Sequence, residues 1–328
     1  MRRIAIALFA LILSLPAVAD PLPSWNATDA RARIIAFVDS VTDPTADTYV
    51  PPADRIAVFD NDGTLWAEKP MYFQFLFALD RLREMAAADP SILTSDVLKA
   101  GAAGDMEAIA AAGTDGVLEI VSVTHSGMSV DAFIADSRAW LDTARHPETG
   151  MAYAAMIYQP MLELLAYLRD RDFATYIVSG GGVHFIRAFS QSAYNIPPDQ
   201  VVGSTGKASY AVRDGVPAVM KDPGIFFIDD KEGKPVAIDT RIGKRPIFAG
   251  GNSDGDFQML EWTTAGEGPR FGLLVHHTDA EREFAYDRDS HVGKLDRGLD
   301  EADARGWLVV DMAADWATVW PADAVPQK

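Results

Sequence analysis

The sequence predicts an α/β fold: a parallel sheet flanked by helices and interrupted once by an all-helical insert. Three observations carry that expectation. Short apolar runs rich in β-formers, at 56–59, 174–178, 245–249 and 271–275, lack the alternation of a half-solvated strand. They read as strands buried on both faces of a parallel sheet. The first three stop abruptly at Asp, Ser or Gly, and open α/β sheets hold their ligands outside the carboxyl ends of the strands. Third, residues 70–145 show helical periodicity and almost no strand signal.

Composition narrows the class. The 328 residues are 48% hydrophobic and 23% charged, ordinary for a soluble globular protein of one or two domains. A formal charge of −18 argues against a nucleic-acid partner, whose phosphates it would repel. The absence of cysteine excludes disulfides and thiolate metal sites. At the amino terminus, Arg2 and Arg3 precede an apolar run (4–15), then Pro16 and Ala17-Val18-Ala19. That is the pattern of a signal peptide over 1–19. The run falls short of the ~20 residues of a membrane span, so an uncleaved anchor is the lesser alternative. The expected product is periplasmic or secreted, and free of the membrane once cleaved.

In the mature chain, Thr28 is a capping residue for a helix from Asp29 that carries Ile34, Ile35, Val38 and Val41. Tyr49-Val50-Pro51-Pro52 makes an extended connector into the first strand. That strand ends in Asp60-Asn61-Asp62-Gly63-Thr64. Asp60 and Asp62 lie two apart, on one face of a regular strand, and Gly63 allows a sharp turn. Carboxylates this close repel, which calls for a cation between them or a division of labour between nucleophile and acid/base.

Here the chain resembles the haloacid dehalogenase-like superfamily of phosphohydrolases, whose first motif is an apolar strand followed by D-x-D-x-T. Asp60, Asp62 and Thr64 match it. The resemblance implies a Rossmann-like core, with Asp60 as the nucleophile that becomes an aspartyl phosphate. It implies Asp62 as general acid/base, and Thr64 as a residue that helps hold the loop and the phosphoryl group. An acid at position 62 suits a phosphatase, because the leaving alcohol needs a proton and water must then be activated.

The remaining elements fall into that frame. Pro70 is placed to begin a helix over 71–85, and Ser95, Thr114 and Ser129 are caps for later helices. This all-helical stretch, 67–158, resembles the helical cap of the family and divides the core into 20–66 and 159–328. A helix from Pro160 leads into the strand 174–178, which ends in Ser179-Gly180-Gly181-Gly182 before another helix. A hydroxyl and glycines at such a junction make a phosphate cradle of backbone N–H groups. Ser179 and Gly180 are its candidate phosphoryl contacts, and Ser179 matches the family's second motif. Residues 201–230 read as hairpin material in three short strands, 201–202, 210–212 and 226–228. Lys234, entering a short helix, matches the third motif better than Lys244, and would neutralise Asp60 and the phosphoryl oxygens.

The run 245–249 leads into Gly251-Asn252-Ser253-Asp254-Gly255-Asp256, which resembles the fourth motif, G-D-x-x-x-D. Asn252 stands where the motif has its first acid. Either Asn252 offers a carbonyl oxygen to the metal or Asp254 serves from a shifted loop. The candidate metal set is thus Asp60, Asp62, Asn252, Asp254 and Asp256, and the implied cofactor is Mg²⁺. A strand over 271–275 ends at His276 and His277, another spans 307–310, and 322–328 reads as a loose tail. Trp66, Tyr72, Phe73 and Phe75 either line a specificity pocket, such as one for phosphocholine, or fill the cap's interior. Glu68 is a further candidate substrate contact.

The expected function is Mg²⁺-dependent hydrolysis of a small phosphomonoester. The alternatives are a phosphotransferase with the same intermediate, or an inactive periplasmic protein that binds a phosphorylated ligand. Nothing in the sequence speaks to oligomeric state.

Overall fold

The computed structural model describes residues 20–324, so the predicted signal peptide and the last residues of the tail lie outside the described residues. Every residue of β1 (Ile56–Phe59) is buried, and its side chains divide by parity. Ala57 and Phe59 join one apolar cluster, Ile56 and Val58 the other. Period two requires this of a strand covered on both faces.

Before β1, α1 (Asp29–Thr42) lays Ile34, Val38 and Val41 on the first cluster. Thr28 sits at its N-cap without a side-chain capping bond. Five helices follow β1 before the chain turns back toward the sheet: α2 (Phe73–Ala88), α3 (Asp96–Ala103), α4 (Met106–Ala111), α5 (Gly113–Thr124) and α6 (Val130–Thr143). Leu79, Leu82, Leu98 and Ile120 give α2, α3 and α5 an apolar cluster of their own. Ser95 and Ser129 cap α3 and α6 through the N–H groups of Leu98 and Ala132. Two expectations fail here. Pro70 lies ahead of α2 rather than at its first position, and Thr114 lies inside α5.

The chain returns to the sheet through α7 (Gln159–Asp170), then β2 (Ala174–Gly182), α8 (Val183–Arg187) and α9 (Ser190–Tyr194). Residues 201–230 are not three short strands. They form one long hairpin, β3 (Val201–Arg213) and β4 (Val216–Phe227), closed by Asp214 and Gly215 at φ 51° and 81°. An Asp-Gly pair with two positive φ values is the tight turn whose twist matches that of a hairpin. α10 (Gly233–Arg241), β5 (Phe248–Gly251), α11 (Phe257–Thr264), β6 (Phe271–His276) and β7 (Leu308–Asp311) complete the sheet. β5 starts later than the run 245–249 suggests. α10 and α11 cover the second cluster through Ala237, Ile238, Met259 and Leu260.

The seven strands run β4-β3-β2-β1-β5-β6-β7. Every pairing is parallel except β3 with β4. β2, β1 and β5 are therefore neighbours, and the segments at their carboxyl ends meet in one place. Among the described residues, no helix is long and apolar enough to cross a membrane.

Candidate active site

The loop after β1 turns tightly. Leu65 N–H donates to Asn61 O at 2.8 Å and Gly63 N–H to Trp66 O at 2.8 Å. Gly63 has φ +75°, and a Cβ there would lie 2.0 Å from Asn252 Nδ2 and 2.3 Å from Glu68 Oε1. Glycine is required on both counts. Behind the turn, His277 Nε2–H donates to Gly63 O at 2.8 Å. His277 is buried and supports the loop, whereas His276 pairs with Asp287.

Asp60 is 7% exposed, and its Oδ1 accepts from Lys234 Nζ at 2.7 Å. The same ammonium donates to Asp256 Oδ1 at 2.6 Å and to Val178 O, within β2, at 2.8 Å. Lys234 thus ties β2 to the segments that follow β1 and β5. Burial alone would lower its pKa, but Asp256, Asp60 and Asp229 overrule that and hold it above the ordinary lysine range. Lys244, the alternative, pairs at the surface with Asp54. Asp60 itself is pushed well above the usual carboxylate range by burial and by Asp256, against the pull of Lys234. Burial likewise raises Asp62, opposed by the bond that Trp66 Nε1–H donates to its Oδ1 at 2.7 Å.

The cradle residues are part of β2, which does not stop at residue 178 as the sequence suggests but continues through the glycines to Gly182, its register with β3 shifting between Ser179 and Gly182. Ser179 is buried, and its Oγ accepts from Gly181 N–H at 3.1 Å. Asp60, Asp62, Ser179, Gly180, Lys234 and Asp256 all line one cavity of about 320 Å³, which reaches from the sheet to α2, α5, α6 and the hairpin.

The loop after β5 corrects part of the expected metal set. Asp254 accepts from the N–H groups of Asp296, Arg297 and Gly298 at 2.9–3.2 Å, so its carboxylate anchors a distant loop. Asp256 turns Oδ1 to Lys234 and Oδ2 to the N–H groups of Asn252 and Ser253. It positions the lysine and the loop rather than offering a free ligand oxygen. A Cβ on Gly251 would lie 2.5 Å from the Asp256 side chain, so only glycine admits that carboxylate. Asn252 is buried, accepting from Thr64 Oγ1 at 3.1 Å and donating through Nδ2 to Glu68 Oε1 at 2.7 Å. Thr64 therefore holds the loop through Asn252 and does not line the cavity, a correction to its expected phosphoryl contact.

Sequence reading passed over Asp229 and Asp230, which come two and three residues after β4. Asp229 is fully buried, neither of its oxygens has a hydrogen-bond partner among the described residues, and burial raises it to about 7. With Asp60, Asp62, Asp230 and Asp256 it forms an acidic cluster around one lysine, Lys234. The surplus of buried carboxylate and the all-oxygen donor set fit a hard divalent cation. Among the described residues, no three acidic or histidine side chains converge as a ready-made cage. Mg²⁺ suits that arrangement, since it takes one or two carboxylates and keeps several waters.

Trp66 and Phe73 prove to be packing residues, Trp66 stacking on Phe189 with centroids 4.4 Å apart. Tyr72 and Phe75 line the cavity, as does Glu68, whose Oε1 accepts from Asn252 and from Tyr286 OH at 2.9 Å. Gln74, His125, His184 and Lys221 also face the cavity and carried no local signal in the sequence. They come from α2, the end of α5, α8 and β4, four places far apart in the chain.

A parallel sheet that gathers a buried aspartate, a lysine and a glycine cradle at the ends of its central strands defines a hydrolase of the aspartate-based α/β class. The family profile of haloacid dehalogenase-like hydrolases matches residues 57–261, and the chain belongs to that family. Sequence comparison with curated proteins gives no match. Among solved structures, a conserved functionally unknown protein from Anaerococcus prevotii superposes with a TM-score of 0.53 at 16% identity, over 79% of this chain and 88% of its own. A protein of unknown function from Bordetella pertussis gives 0.47 at 17% identity, over 79% and 98%. A phosphoserine phosphohydrolase-like protein from Francisella tularensis gives 0.38 at 16% identity, over 76% and 98%. The Anaerococcus structure supports the fold and nothing finer.

Proposed function

We propose that the protein is an exported, Mg²⁺-dependent phosphomonoesterase acting on a small phosphorylated metabolite through an aspartyl phosphate at Asp60. The observation that carries this reading is the Asp60–Lys234–Asp256 bridge beside the Ser179–Gly180 cradle. A phosphoryl group held by the cradle meets the Asp60 carboxylate, which attacks phosphorus while the ester oxygen leaves. Asp62 gives that oxygen its proton. Burial keeps Asp62 above the ordinary carboxylate range, so it holds a proton more readily than a surface aspartate would. The same group, now ionised, takes a proton from the water that cleaves the acyl phosphate. Lys234 holds Asp60 in place and offsets the negative charge of the phosphoryl oxygens.

Asp60, the Asp62 main-chain carbonyl and the Asn252 amide oxygen would hold the Mg²⁺. When bound, it neutralises phosphoryl charge that a −18 protein would otherwise repel. The signal-peptide pattern at 1–19 supports export, with cleavage giving a mature chain that begins at Asp20.

Phosphate release from p-nitrophenyl phosphate tests the activity. The expected outcome is turnover that needs Mg²⁺ and disappears on chelation. Lack of phosphate release with any divalent cation would overturn the reading.

A further inference from the structure

The cavity that the catalytic residues line holds a second polar centre. Lys221, on β4, is 8% exposed and lines the cavity. Its Nζ sits 4.3 Å from the centroid of Phe133 and donates to His184 Nδ1 at 3.3 Å. No carboxylate among the described residues pairs with it. Burial lowers it to about 8 with no acid opposing that fall. Asp222, next along β4, lines the cavity but forms no ion pair with it.

The neighbouring histidines do not compete for the positive role. Burial lowers His184 to about 4 and His125 to about 3, so both are neutral near pH 7. His125 Nε2 accepts from Gln74 Nε2 at 3.1 Å, and Gln74 Oε1 accepts from Gly182 N–H at 2.6 Å. One polar chain thus links the phosphate cradle to the side of the cavity where Lys221 sits.

The main chain fixes that wall. Lys221 N–H donates to Met128 O at 2.8 Å, and Gly127 N–H donates to Lys221 O at 2.9 Å. Gly224 N–H donates to Ser122 Oγ at 2.8 Å. The hairpin is therefore stitched to α5 and to the loop before α6, and Lys221 is held in place. Apolar side chains, among them Phe75, Leu118, Val121 and Ile225, line the cavity alongside these polar groups.

A buried ammonium without a counter-ion is costly unless something compensates it. We propose that Lys221, with His184 beside it, is the subsite for a second anionic group on the substrate. The substrate class is then a phosphomonoester with an apolar carbon body and a carboxylate or second phosphate on it. This rests on the phosphatase reading and deepens it. It also disfavours a quaternary-ammonium head group such as phosphocholine, which would meet an uncompensated positive charge.

The test measures binding, so it does not depend on turnover. Calorimetry at pH 7 compares phenylphosphonate with analogues that carry a ring carboxylate or a second phosphonate at each position. Wild type should bind at least one analogue carrying the second anionic group on the order of ten- to a hundred-fold more tightly than phenylphosphonate, the range of a charge-assisted hydrogen bond. A carboxylate-only preference identifies a carboxylated substrate, and a phosphonate-only preference a bisphosphate. Lys221→Met should remove the preference, and Lys221→Arg should restore part of it. Equal affinities in wild type, or a preference that survives in a folded Lys221→Met, would overturn the subsite. If no phosphonate binds while p-nitrophenyl phosphate is hydrolysed, the subsite fails and the phosphatase reading stands. If the carboxylate preference is found without phosphate release from any ester, the activity reading fails and the anion site stands.

Discussion

Replacing Lys234 by methionine removes the one buried cation in a cluster of buried acids. The lysine is 1% exposed and makes three hydrogen bonds of 2.6–2.8 Å, two of them to the Asp60 and Asp256 carboxylates. Methionine fills similar volume, so packing changes little and the electrostatic loss dominates. Removing one partner of a buried ion pair costs about 3–5 kcal/mol, because the other charge stays buried and unpaired. Two carboxylates are stranded here, which puts Lys234→Met at the upper end of that range near pH 7.5. The penalty should shrink on acidification. The folded-state pKa of Asp60, already raised, rises further without the lysine. Protonated Asp60 is therefore favoured in the fold; its contribution is fully present below the unfolded pKa and is lost as pH rises through the folded one. Urea unfolding in chelator, followed by tryptophan fluorescence at pH 5 and 7.5, measures both effects. A loss under ~1 kcal/mol at pH 7.5 is the magnitude of a surface ion pair and would refute the argument.

Three further outcomes follow from the same site. Burial raises Glu68 to about 7 from 4.5, with His277 the largest opposing influence. Its contribution to stability is present below pH 4.5 and lost as pH rises through 7, so Glu68→Gln should gain on wild type across that window. At about 1.4 kcal/mol per unit the gain reaches roughly 3 kcal/mol at pH 8, and thermal unfolding in chelator that shows a constant difference contradicts it. Asp254→Asn should lower stability by about 1–3 kcal/mol through weakened bonds to the Asp296–Gly298 loop, with the Mg²⁺ requirement unchanged. Asn252→Asp, which sets a charge against Glu68, should be destabilised without Mg²⁺ and recover with it; Mg²⁺ titrations of both variants check the pair.

The core was legible because the apolar runs that open β1 and β2 and make up β5 and β6 are buried and lack the alternation of a half-solvated strand. Such local patterns survive folding. Asp60, Asp62, Ser179 and Lys234 could be named because each sits in a short local motif next to such a run or at the start of a helix. What sequence could not give is orientation. Asp254 and Asp256 look alike in a turn of alternating Gly, Ser and Asp, yet one anchors a distant loop and the other the catalytic lysine. Thr64 read as a phosphate ligand, but its hydroxyl turns to Asn252 across a contact between residues far apart in the chain. Pro70 looked like a helix start because nothing local tells a first helical turn from the approach to one. Lys221 was invisible for the same reason. Its role depends on burial against Phe133 and His184, which sequence separates from it.

Trapping the covalent intermediate tests the central claim most directly. Wild-type protein turning over p-nitrophenyl phosphate with Mg²⁺ is quenched in acid and reduced with borohydride, which converts an aspartyl phosphate to homoserine, and its peptides are mapped by mass spectrometry. The account predicts homoserine at position 60 and at no other aspartate; turnover without modification at 60, or homoserine at 62, would contradict it.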